Sequence, residues 1–249
     1  MIKLKCTISY DGTQFFGSQI QPDKRTVQEE FEKVLMKIHK GKPIKMISSG
    51  RTDTGVHARG QVVHFETDLA IPVENWKRAL NAQLPDDIYV KKVESVDPSF
   101  HARFDATEKE YRYFVLNRNE RDIFKRHYTY LELEKLNVLA MKEACTIFEG
   151  THDFTSFCSA RSTVKGTKVR TLYEVSCHKE GELITFILRG DGFLYNMVRI
   201  IVGTLLDVGK GKIMPEDIRE ILKKKDRKYA SKTAPPQGLF LWRVTYAAK

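Results

Sequence analysis

Apolar and polar positions alternate along residues 3–10, the period-two pattern of a strand with one face in a core. The period then changes. Thr26-Val27-Gln28-Glu29 has the form of a capping box, and Val27, Phe31, Val34, Leu35 and Ile38 recur on one helical face behind it. Two apolar runs, residues 44–47 and 62–65, read as strands flanking a Gly-punctuated loop over residues 48–60. Pro72 is placed to open a second helix, with Trp76, Leu80 and Leu84 apolar at four-residue intervals. Residues 88–96 alternate again and close a first half.

The second half repeats that outline. Residues 111–116 predict a strand, 134–148 a helix, and 169–177 with 183–188 a strand pair. A long helix is expected from about residue 192 to 206, a short one after Pro215, and a last strand near residues 239–246. The pattern predicts an α+β protein of two similar α/β halves with mostly antiparallel sheets, an internal duplication meeting at a central cleft. The halves divide as residues 1–104 and 105–249, and with no Pro/Gly/Ser-rich linker they are expected to dock tightly.

Composition narrows the classes. In 249 residues, 41% hydrophobic and 30% charged positions describe an ordinary globular chain and argue against disorder. No apolar run reaches the length of a membrane span, and the first residues alternate like a strand and lack a signal-peptide core. No membrane association is expected, and a cytoplasmic location is. Cys6, Cys145, Cys158 and Cys177 are scattered without C-x-x-C spacing, which predicts reduced core thiols. The seven histidines show no metal-ligand grouping, so neither a metal nor an organic cofactor is expected. With 42 basic against 32 acidic residues the formal charge is +10, which favours a polyanionic partner.

Within the 48–60 loop a single carboxylate, Asp53, stands in sequence among Arg51, His57 and Arg59. Nearby positive charge favours an ionised carboxylate, the state a nucleophile needs. Asp53-Thr54-Gly55 is also an ordinary turn sequence. An aspartic-protease half-site would need a second such carboxylate, and a phosphate-binding loop would need Lys-Ser/Thr where Val56-His57 stands. Neither of those readings survives.

Four further features could complete a site. Arg199 is the one charge in the apolar run from Phe193 to Leu206. Either it is buried and needs a partner, for which Asp53 is suited, or it lies on the outer helix face with Tyr195 and reaches solvent. Tyr111 and Tyr113 share one strand face, as core packing or as a platform for an unstacked base. Phe100-His101-Ala102-Arg103-Phe104 reads as a loop pinned by two buried phenylalanines, with Arg103 and His101 able to contact phosphate. Residues 161–170 carry Arg161, Lys165, Lys168 and Arg170 with no acidic residue, and Lys223, Lys224, Lys225, Arg227, Lys228 and Lys232 form a second basic cluster.

Taken together, these residues resemble a known family. Gly50-Arg51-Thr52-Asp53-Thr54-Gly55-Val56-His57-Ala58 resembles the catalytic motif of the tRNA pseudouridine synthase A family. The likeness extends through Tyr10-Asp11-Gly12-Thr13, Phe16-Gly17-Ser18-Gln19, Phe100-His101-Ala102-Arg103-Phe104 and Tyr111-Arg112-Tyr113. It continues through Asp153-Phe154-Thr155-Ser156-Phe157, Gly192-Phe193-Leu194-Tyr195-Asn196-Met197-Val198-Arg199 and Ala234-Pro235-Pro236-Gln237-Gly238-Leu239. The resemblance implies the pseudouridine synthase fold and an isomerase. That enzyme turns uridine into pseudouridine at nucleotides 38, 39 and 40 of the tRNA anticodon arm, by base flipping, as a homodimer without cofactor or metal. It also implies roles: Asp53 as nucleophile, Arg199 as its basic partner, Tyr111 stacked on the uracil, and Arg51 in the space the flipped nucleotide leaves. Residues 100–104 and the basic loop with Arg161, Lys165, Lys168 and Arg170 would contact tRNA. The residues leave open whether Asp53 attacks C1′, attacks base C6 or removes the C2′ proton, and which group is the final C5 base. The alternative from another class is a non-catalytic RNA-binding protein on a duplicated RNA-recognition-like fold.

Overall fold

A computed structural model describes residues 1–160 and 166–247. Its elements run β1 (Ile2–Tyr10), α1 (Val27–Ile38), β2 (Ile47–Ser48), β3 (His57–Thr67), α2 (Val73–Asn81) and β4 (Ile88–Val96). There follow β5 (Ala106–Asn117), β6 (Tyr130–Glu132), α3 (Val138–Ile147), β7 (Gly150–Asp153), β8 (Val169–Glu180) and β9 (Leu183–Gly190). The last are α4 (Met197–Gly209), α5 (Asp217–Lys224) and β10 (Leu239–Tyr246). The protein is α+β, and most of its strand pairings are antiparallel. It comprises two compact units, Met1–Thr107 with Phe240–Lys249, and Glu108–Leu239.

In the first unit β1 pairs antiparallel with both β3 and β4, matching Leu4 to Phe65 and Cys6 to Val93. The alternation read from the sequence buries Leu4, Cys6, Ile8 and Tyr10 on one face. Helix α1 opens where expected: Thr26 Oγ1 accepts the Glu29 N–H at 3.3 Å, and Glu29 and Glu30 sit at the positive end of the helix dipole. Its Phe31, with Phe65 of β3 and Trp76 of α2, makes one aromatic cluster with centroid spacings of 6.3 and 5.4 Å. Each ring of that kind contributes roughly 1.5–3 kcal/mol through burial. Strand β3 is long enough to hold β1 along one edge and, on the other, first β2 (Ile47↔His64) and then β10 (Phe240↔His57, parallel). The chain between β2 and the start of β3 is the Asp53 loop.

In the second unit β9 lies between β5 and β8, with Tyr113 opposite Phe186 and Phe186 opposite Cys177. β7 extends the sheet beyond β8, and β6 runs parallel to β5 on its other edge. The two units share a plan. The order β1-β3-β2 in one matches β5-β9-β8 in the other. A helix follows the first strand of each set (α1, α3), and another follows the middle strand (α2, α4).

Several boundaries differ from the sequence pattern. Residues 44–46 form no strand, because only Ile47 and Ser48 meet β3. α3 starts at Val138, four residues later than expected, because Asn137 caps it by accepting the Ala140 N–H at 3.1 Å. α4 starts at Met197 and not near residue 192, because Asn196 takes a left-handed turn at φ 60°. All four cysteines are free and buried, and burial pushes the Cys177 thiol up to about 11. Among the described residues no helix is long and apolar enough to cross a membrane.

Candidate active site

The Asp53 loop is fastened from both sides. At its entry Ser49 is fully buried, and its hydroxyl donates to Gln61 Oε1 at 2.6 Å. Gln61 Nε2 in turn donates to Gly50 O at 2.8 Å. Next, the Thr52 N–H donates to Ser18 Oγ at 2.8 Å, and Thr52 Oγ1 meets Tyr10 Oη at 2.8 Å. Burial pushes the Tyr10 phenol up to about 12, while its hydrogen bonds to Thr52 and Gln61 act the other way, so it stays neutral. Beyond Asp53 the Gly55 N–H donates to Phe15 O at 3.2 Å, and the Val56 N–H closes a turn onto Asp53 O at 3.1 Å. Two glycines permit this clasp. A Cβ on Gly12 would lie 2.1 Å from Val56 O, and Gly17 adopts φ +91° beside Thr52 O. Asp53 itself is half-buried and Arg51 is exposed.

The basic residues that flank Asp53 in sequence divide between the loop and β3. The loop ends at Val56, and His57 and Arg59 already belong to β3. His57 is 1% exposed and stacks on Phe240 at 4.5 Å. Its Nδ1 accepts the Gly12 N–H at 2.9 Å and lies 3.2 Å from Asp11 Oδ1. Arg59 lies over the Trp242 ring at 4.9 Å, and its carbonyl accepts from Lys91 Nζ at 2.5 Å. Of the three cations next to Asp53 in sequence, only Arg51 stays on the loop.

In the second unit Tyr111 is buried on β5 and meets Phe193 edge-on, at 5.0 Å and 75°. Tyr113 lies deeper on the same face, its hydroxyl donating to Pro235 O at 2.7 Å, and burial raises its pKa. α4 is buried on nearly every face, as its composition requires. Arg199 is half-buried, between the two readings its sequence allowed. Its Nε donates to Ala234 O at 2.7 Å, and Nη1 donates to Asn196 Oδ1 at 3.1 Å. The backbone closes the same link, Ala234 N–H to Arg199 O at 3.0 Å. Tyr195 is exposed and precedes the helix. Asp53 and Arg51 belong to the first unit, Tyr111 and Arg199 to the second.

The 100–104 segment belongs to the first unit, and it is pinned by one phenylalanine, not two. Phe100 is buried beside Tyr246 at 5.1 Å, but Phe104 is 75% exposed and stacks on His101 at 4.2 Å. The backbone is held by the Ala102 N–H on His64 Nδ1 at 3.1 Å and by Tyr246 Oη on Ala102 O at 2.7 Å. Arg103 is exposed, its guanidinium 5.9 Å from the Phe104 ring centre. Of the basic loop, Arg161 and Lys165 lie outside the described residues. Lys168 is half-buried, and Arg170 Nη1 is engaged by Thr167 O and Val169 O at 3.1 and 2.6 Å. In the second cluster Lys223 pairs with Glu220 at 2.7 Å and Lys225 with Asp153 at 3.1 Å.

Gln61, Ser18, Tyr10 and Phe15 hold the loop, and residue types alone do not single them out. Tyr10 and Ser18 do lie within the motifs that carry the resemblance, where no role attaches to them.

The sequence matches the family described as tRNA pseudouridine synthase over residues 7–105 and 144–247. It is 60% identical over 246 residues to the tRNA pseudouridine synthase A of Oceanobacillus iheyensis, covering 99% of this chain and 97% of that one. It is 56% identical over 246 residues to the tRNA pseudouridine synthase A of Bacillus subtilis, covering 98% and 99%. A solved chain from a Cbf5-Nop10-Gar1 complex aligns over 81% of this chain and 54% of its own, at 17% identity and a TM-score of 0.34, a likeness too slight to carry weight. With a match through both units and relatives aligned nearly end to end, the chain belongs to the tRNA pseudouridine synthase family.

Proposed function

We propose that this protein isomerises uridine to pseudouridine at nucleotides 38, 39 and 40 of the tRNA anticodon arm, with Asp53 as nucleophile. The observation that carries the residue assignment is the fastening of the loop. Thr52 and Gly55 are bound through their backbone on either side of Asp53, so its carboxylate is presented on a fixed turn. A uracil inside a stem cannot be reached, so it is extruded at a cost of a few kcal/mol, offset by stacking and contacts in the pocket. Tyr111, its ring set edge-on against Phe193, is the stacking surface for that uracil. Arg199, oriented by Ala234 and Asn196, takes the role of basic partner in the reaction that the family resemblance implies for it, and Arg51 fills the gap left in the stem.

Covalent capture by a carboxylate divides a difficult exchange into two easier steps. The N-glycosidic bond breaks, the uracil turns, C5 bonds to C1′, the bond to the Asp53 carboxylate is released, the C5 proton leaves and N1 takes up a proton. The tRNA is gripped by the 100–104 segment and by the loop bearing Arg161, Lys165, Lys168 and Arg170. The enzyme works in the cytoplasm as a homodimer whose combined basic surface spans the substrate, in keeping with a formal charge of +10.

The test is Asp53→Asn, followed by tritium release from C5-labelled uridine in tRNA. Turnover should vanish while tRNA affinity is largely kept. Substantial residual release would remove Asp53 from the nucleophile's place.

A further inference from the structure

Three hydrogen bonds converge on Thr52, the residue before Asp53, and all three come from elsewhere in the chain. The Thr52 N–H donates to Ser18 Oγ at 2.8 Å, the Ser18 N–H donates to Thr52 O at 3.1 Å, and Thr52 Oγ1 meets Tyr10 Oη at 2.8 Å. Thr52 is 7% exposed, and Ser18 and Tyr10 are each 5% exposed, so water cannot take over these bonds when one is removed. The approach is close enough that a Cβ on Gly17 would lie 2.9 Å from Thr52 O. Gly55, on the far side of Asp53, is bound by Phe15 of the same segment. The peptide units flanking Asp53 and Thr54 are thus registered against residues 15–18 and the end of β1.

Planar peptides transmit that registration to Asp53 Cα. We propose that Thr52, held by Tyr10 and Ser18, is a positioning residue: it sets where the Asp53 carboxylate points and touches no reacting atom itself. The assignment rests on Asp53 being the nucleophile. A hydroxyl that served only the fold would, on removal, lower the melting temperature and affect every function in proportion. A positioning hydroxyl lowers kcat and leaves the tRNA-binding surface as it was.

The experiment uses the whole chain with Thr52→Val, which keeps shape and loses the hydroxyl, Thr52→Ser, which keeps the hydroxyl, Tyr10→Phe, and the Tyr10→Phe/Thr52→Val double variant. kcat and KM are read by tritium release well below each melting temperature, alongside Asp53→Asn. Thr52→Val and Tyr10→Phe should each lower kcat roughly ten- to hundredfold, the scale of an ångström-sized misplacement. KM should stay within about twofold of wild type. Thr52→Ser should restore most of kcat, and the double variant should be no worse than the poorer single one, since both remove the same hydrogen bond. If Thr52→Val does not fold, Tyr10→Phe, which keeps its ring, carries the test. Wild-type kcat in Thr52→Val and Tyr10→Phe beside an inactive Asp53→Asn overturns the positioning role alone. So does a Thr52→Ser as poor as Thr52→Val. An active Asp53→Asn overturns the nucleophile reading first, and the positioning role with it.

Discussion

Tyr111 offers a ring and a hydroxyl, and the two can be separated. Tyr111→Ala removes the ring and is expected to cost about 1–3 kcal/mol in kcat/KM, the usual worth of one base stacked on an aromatic side chain. Tyr111→Phe keeps the ring against Phe193 and should bind tRNA as the wild type does. Loss of turnover in that variant with binding intact would give the hydroxyl a chemical task beyond stacking. A second residue-scale expectation concerns His64, whose pKa falls from 6.5 to about 4, chiefly through burial and then through His101 and Lys3, with Glu66 and Asp105 acting the other way. Its neutral Nδ1 accepts the Ala102 N–H. The unfolded chain takes up that proton first, so this contribution is complete above pH 6.5 and is lost as pH falls towards about 4. Urea midpoints measured across that window should decline for the wild type and change less for His64→Gln. His57 shows where residue-level reading stops. Its ring stacks on Phe240 and accepts the Gly12 N–H, partners 183 and 45 positions away that adjacency in sequence does not reveal.

Among the elements, α4 shows a conflict between two local rules. Alanine at Gly203 would favour the helix by about 1 kcal/mol. Its Cβ, however, would sit 1.9 Å from Lys232 O, a backbone atom in the stretch that also binds Arg199 through Ala234. Overpacking of that kind costs about 1–3 kcal/mol, so the steric term wins. Gly203→Ala should lower the melting temperature, and it should lower kcat as well, because the displaced stretch orients Arg199. Several elements were legible in the chain: β4 spans the alternating residues 88–96, β10 the strand expected near residues 239–246, and α1 begins at its capping box. Boundaries set by a single backbone choice were not. Phe193 and Leu194 continue the apolar run of α4, but the left-handed turn at Asn196 delays the helix. The clasp on the Asp53 loop was illegible for another reason. Tyr10 and Ser18 lie 42 and 34 positions from Thr52, and no sequence period links them.

At the scale of the whole molecule, a formal charge of +10 predicts that tRNA binding weakens as salt rises. Replacing Arg161, Lys165 and Lys168 by neutral residues should weaken binding and flatten the slope of log K against log salt, by roughly 0.7–0.9 for each phosphate no longer neutralised. An unchanged slope would remove that loop from the tRNA surface. The pairing of β10 with β3 has a consequence in time. The first unit is interrupted in the sequence by all of Glu108–Leu239, so the strand that covers His57 is translated only after the second unit. At roughly 5–20 residues per second, the nascent Asp53 loop waits on the order of ten seconds for the Phe240 ring that completes its support. A chain arrested within the second unit therefore carries the whole catalytic motif but lacks the strand that pairs with β3 beside His57.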